Sequence, residues 1–212
     1  MKHIHPLQPI AVIVLIIVLV YFRKRQNAPA AGTGTAAAKS VQAPRAAVEK
    51  TVKVEEPPEV VFDKVRQKAL ATPRATLGLP GEGNENEPYG LVMEMGMADS
   101  VVLVSSYANG DATLCYQSGG GISGGGAHDN VRKAAREFVA LSQKVLPRMA
   151  KVAALPLPGP GRVRFSALTP KGVFAAEVNR EDLVETHALA PLFSGGQEVV
   201  AQMRQVQAER SR

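Results

Sequence analysis

The chain is 212 residues long, 45% apolar and 5% aromatic, with 19 glycines, 15 prolines, one cysteine and no tryptophan. Length allows one or two domains, and a lone cysteine (Cys115) excludes an internal disulfide framework or a multi-thiolate metal site. The net charge of +6 raises a nucleic-acid reading that the placement of the charges has to decide.

Ile10 to Phe22 is an unbroken apolar run. Extended back through Pro9, Gln8 and Leu7 to Pro6 it reaches the short end of the range that spans a hydrocarbon core of about 30 Å. Pro6 and Pro9 suit a first helical turn. Tyr21 and Phe22 suit an interface, and Arg23, Lys24 and Arg25 follow at once. Residues 1–25 therefore read as a single-pass membrane anchor, with 6–22 as the membrane segment. The cations follow the apolar run, and no small-residue cleavage site adjoins it, so retention is expected. Arg23, Lys24 and Arg25 outweigh Lys2 and the amino terminus, which places the following chain on the cytoplasmic side. Four of the six excess charges flank this segment. The basic character is mostly a membrane address, and no nucleic-acid partner is expected.

Residues 26–57, rich in alanine, proline, glycine and threonine, cannot bury enough surface to offset ordering entropy and read as a disordered linker. In 58–71, Val60, Val61, Phe62, Val65 and Ala69 recur near helical spacing behind Pro58, predicting a short amphipathic helix that docks on the domain or lies on the bilayer. Residues 72–88 form a second, acidic and glycine-rich linker. The compact domain is expected at 89–207, followed by a tail at 208–212.

Within the domain, Leu91–Met97, Val101–Tyr107 and Ala112–Gln117 read as strands, with Asn109-Gly110 as a hairpin signal. From Asn130 to Leu146 one apolar stripe marks a helix that Asp129 or Asn130 could cap. Val163–Leu168 and Val173–Val178 return as strands around Thr169-Pro170-Lys171-Gly172, and Leu189–Val206 is a closing helix. The order β-β-β-α-β-β-α implies an α+β fold with a mostly antiparallel sheet and helices on one face. It resembles profilin-like and roadblock-type layers as a fold analogy, which carries no function.

One segment is unusual. Ser118-Gly119-Gly120-Gly121-Ile122-Ser123-Gly124-Gly125-Gly126, followed by His128 and Asp129, stands between a strand and a helix. Gly119, Gly121 and Gly124 match G-x-G-x-x-G, and glycine amides before a helix N-terminus can approach an anion. No Lys-Ser/Thr follows them, no parallel βαβ unit is completed, and Asp129 would repel phosphate. The competing readings are a tight loop that only glycine can trace and a partner-binding loop at a glycine-rich strand end. His128 and Asp129 could serve as base or ligand, as could Glu185 and His187, but four metal ligands cannot be assembled from them. Ser123 lacks the outer-glycine spacing of a nucleophile elbow. Cys115, mid-strand, reads as a small buried hydrophobe. Arg132, Lys133 and Arg136 on one helix, and Arg162 and Arg164 on one strand, lack interleaved aromatics and read as solvated faces.

The stretch YQSGGGISGGGAHDNVRKAA, with VRFSAL and LAPLFSGGQEVV, resembles a family of uncharacterised bacterial proteins. The resemblance covers Tyr89 to Val206. It implies a domain boundary and no catalytic role. Together these observations predict a membrane-anchored protein whose α+β domain is a binding or adaptor module, with no cofactor or metal. A protein partner is expected at Ser118–Asp129, and the alternative is a small-ligand or anion site, or an enzyme, at the same loop.

Overall fold

The computed structural model describes residues 56–210. The anchor at 6–22 and nearly all of the first linker lie outside the described residues. Among those described, no helix is long and apolar enough to cross a membrane.

The described chain is an α+β fold in which three helices pack on a seven-stranded antiparallel sheet. Helix α1 occupies Pro58–Ala71, where Pro58 supplies a preset first turn. Three strands then run as a meander: β1 (Gly90–Gly96), β2 (Val101–Tyr107) and β3 (Ala112–Tyr116). A two-residue strand β4 (Gly121–Ile122) pairs with β3 inside the glycine run. Helix α2 (Asp129–Val145) follows, then a short β5 (Ala150–Lys151), the hairpin β6 (Arg162–Thr169) and β7 (Gly172–Asn179), and helix α3 (Ala190–Arg210). The sheet order is β4-β3-β2-β1-β6-β7-β5, with β1 and β6 joining the two halves.

The period-2 alternation of the strands divides the sheet into two faces. On one, Leu91, Met93, Val104, Leu114, Val163 and Phe165 are fully buried against α2 and α3. Phe138 of α2 and Leu192 and Met203 of α3 complete this core without exposed surface. Helix α3 lies close to α2 at Gly195, where a Cβ would meet Leu141 Cδ1 at 3.0 Å, and close to β1 at Gly196, where a Cβ would meet Met93 Sδ at 2.6 Å.

The expectation of helices on one face is corrected by α1, which covers the opposite face. Phe62, fully buried, and Ala69 pack there on Val92, Val101, Leu103 and Cys115. The domain accordingly begins before Tyr89 and includes α1, packed on its sheet. The next residues are also built into the fold: Arg74–Leu77 forms a 3-10 turn, and the Tyr89 hydroxyl donates to the Thr72 carbonyl at 3.2 Å. At the far end α3 continues to Arg210, so residues 208–210, expected as a tail, are helical.

Toward β6 and β7 this second face turns ionic. Glu94 on β1 is fully buried, opposite Arg164 on β6, which in turn stands opposite Glu177 on β7. Arg66 of α1 donates through Nε to Glu94 Oε1 at 2.5 Å and through Nη2 to the Leu155 carbonyl at 2.7 Å. Arg164 pairs with Glu177, donates to the Pro156 carbonyl and lies 3.9 Å from Glu94 Oε2. Arg162 extends the ladder to Glu177 at 2.9 Å and Asn179 at 2.7 Å. Every buried charge thus has an opposite neighbour, the condition under which burial is tolerated.

Candidate functional site

The glycine run divides into two parts with different surroundings. Its first part closes the β3–β4 hairpin. The Gly119 N–H donates to the Tyr116 carbonyl and the Tyr116 N–H to the Gly120 carbonyl. Gly119 and Gly120 take φ of 105° and 82°, left-handed conformations that disfavour any Cβ. Gly121 has ordinary φ but sits where a Cβ would run into the Leu114 carbonyl. Ser118, Gly119, Gly120, Gly121, Ser123 and Gly124 are all exposed.

The second part is absorbed by a junction between the β2–β3 turn and α2. Gly125 is buried, with Val131 Cγ1 at 2.7 Å from a hypothetical Cβ. The Gly126 N–H reaches Asp111 Oδ1 at 3.4 Å, and its carbonyl accepts from Arg132 Nε at 3.0 Å and Nη2 at 2.8 Å. The Ala127 and His128 amides are engaged by the Gly124 and Gly125 carbonyls. Asp129 does not cap the helix: His128 is the N-cap, without a side-chain cap bond, and Asp129 pairs with Arg132 Nη1 at 2.6 Å on an exposed surface. His128 Nε2 lies 2.6 Å from Arg210 Nη2, and because arginine has only donors, this nitrogen is the acceptor. The amides of Gly119, Gly126, Ala127 and His128 are thus engaged within the protein, and a carboxylate stands at the helix start.

The structure places the hairpin end of the run beside α1. Between them lies an open groove of about 350 Å³, lined by Pro58, Val61, Phe62 and Val65 on one side. Cys115, Gly119, Gly120, Gly121 and Ser123 line the other. Thr113 and Cys115 of β3 and Gly121 of β4, all small, line the groove together with Val61 of α1. That valine remains 43% exposed, as does its neighbour Val60 at 42%. Glu56, ion-paired with Lys64, marks one end of the groove. The outer edge of the sheet is here only two residues long, in β4.

Other candidate side chains are engaged elsewhere. Burial pushes the Cys115 thiol up, which disfavours the nucleophilic thiolate. Arg136 donates to the Asn109 carbonyl at 3.1 Å, and Lys133 lies 4.0 Å from Glu137. His187 Nδ1 accepts from the Leu189 N–H. Among the described residues no group of three or more His, Cys, Asp or Glu is placed to hold a metal ion.

Sequence reading missed the Arg66–Glu94–Arg164–Glu177 ladder, in which burial alone would raise the Glu177 carboxyl. The hydrogen bonds from Arg164 and Arg162 outweigh that and hold it below the ordinary carboxylate value. The alternation of Arg162 with Arg164 was its only visible signal. Comparison of the chain with protein-family models, with curated proteins and with solved structures finds no match.

Proposed function

We propose that this protein is a membrane-tethered binding module, held at the bilayer by residues 6–22, whose domain takes a short extended segment of a protein partner at the glycine hairpin. The observation that carries this reading is the apolar groove between α1 and the β3–β4 hairpin. A terminal strand offers backbone donors and acceptors to another chain, glycine keeps its surface clear, and the groove accepts an apolar side chain of the added segment. The loop amides already occupied around Gly126 favour this reading over a small anion.

The test is selection of short peptides from a random display library against the full chain in detergent. The expected return is extended sequences with alternating apolar residues. Their binding should fall at least tenfold in Val61→Glu, which charges the groove, and in Ser123→Pro, which removes a donor beside β4. Peptides insensitive to both variants would sink the groove reading. A panel of metabolites that raises the melting temperature where no peptide binds would replace it with the small-ligand alternative.

Topology has a separate test. Cys115 is too buried to report it, so the reporter is Ser118→Cys in a Cys115→Ser background, placed on an exposed turn. A membrane-impermeant thiol reagent should label it only after permeabilisation; labelling in intact cells would put the domain on the outer side.

A further inference from the structure

The two faces of the sheet are covered by helices held in different ways. Helix α2 buries seven side chains and α3 six besides Gly196, while α1 fully buries only Phe62 and Ala69. Val65 and Leu70 pack half-buried against the same small cluster, and the other ties of α1 are polar and few. Arg66 reaches Glu94 and the Leu155 carbonyl, the Tyr107 hydroxyl donates to the Ala69 carbonyl at 3.1 Å, and the Tyr89 hydroxyl reaches Thr72. No side chain caps the N-terminus of α1, and along one flank the groove leaves it without packing. Its apolar contacts form a cluster of their own, separate from the large core.

We propose that α1 is a releasable strap: it detaches while the sheet, α2 and α3 stay folded, and its departure presents Val92, Val101, Leu103 and Cys115 as an apolar surface. At 14 residues it is too short to persist as a free helix in water, so release and melting coincide. Local opening of this kind draws on the elements with fewest buried contacts. The inference holds whatever occupies the groove.

Cys115 is the chain's only cysteine and lies under the strap, so thiol labelling of the full chain reads the opening directly. The informative variant is Arg66→Gln, because Arg66 ties α1 to β1, while Cys115 sits on β3. Losing those charged hydrogen bonds should raise the labelling rate about tenfold to a hundredfold. Hydrogen exchange should show lost protection in residues 58–71 and unchanged protection in α2 and α3. Tyr107→Phe, which keeps the ring and removes the bond to Ala69, provides a milder second variant with the same direction. The inference is overturned if labelling is unchanged in both variants, which means the thiol is reached through the groove. It is equally overturned if α2 and α3 lose protection together with α1, which makes the domain one cooperative unit.

Discussion

The same strands build two unlike faces. Along β1, Leu91 and Met93 enter the dry core beneath α2 and α3, while Val92 and Glu94 face the other way. Along β6, Val163 and Phe165 alternate with Arg164 and Ser166. One face is closed by close helix packing around glycines. The other is half apolar, beneath α1, and half ionic, across β1, β6 and β7. The contrast separates two tasks: the first face holds the fold together, and the second supplies an element that can yield and a groove beside it.

Substitution can break this contrast. The largest effect is expected from Phe138→Ala, which opens a cavity in the closed face and should lower unfolding free energy by about 4 kcal/mol. Chemical denaturation would show a shifted midpoint at unchanged slope. Glu94→Gln, on the ionic face, should cost about 3 kcal/mol, because Arg66 and Arg164 then face a neutral group in a buried setting. A negligible cost there would mean that the ladder behaves as a surface network and that the two faces differ less than their burial implies.

The glycines sharpen the comparison at smaller scale. Gly125→Val pushes a side chain against Val131 and should cost about 2 kcal/mol. Gly124→Ala, in open space at φ 71°, should cost only about 1 kcal/mol of backbone strain. Thermal melts of the two variants would distinguish crowding from conformation.

The smallest effect concerns acid. Because the folded Glu177 carboxyl lies below its unfolded value, its contribution is fully present above about pH 4.3. It is lost as pH falls through the folded value, where the carboxylate that Arg164 and Arg162 hold becomes protonated. Denaturation midpoints followed from pH 6 downward should fall less steeply in Glu177→Gln than in the parent chain. An identical slope would remove Glu177 from the ladder.

Much of the element order was legible because its signals are local. Strands β2 and β3 and helix α2 follow from alternation, from Asn109-Gly110 and from a helical stripe. Strand β4 was not legible, since Gly121-Ile122 has no side-chain alternation and exists only through backbone pairing with Cys115 and Leu114. The second face was hidden for a different reason. Glu94, within Leu91–Met95, reads as an ordinary solvent position, and its partners Arg66 and Arg164 lie far away in sequence. In the glycine run, positive φ at 119, 120 and 124 and steric crowding at 121 and 125 require the same residue type. Spacing therefore cannot separate the hairpin from the junction, or find the groove that only packing against α1 creates.

The central β1–β6 ladder sets an order of events during synthesis. Met93 must wait for Phe165 and Met95 for Val163, whereas β1, β2 and β3 can pair as soon as they emerge. The strap, the meander and the glycine hairpin are thus all translated while β1 still presents an open edge, with Leu91 and Met93 lacking the cover of α3. The residues that line the groove are all made before β6, and closing the sheet through its middle strand is the non-local step. Nascent chains stalled before Arg162 are accordingly the species most exposed to wrong pairing.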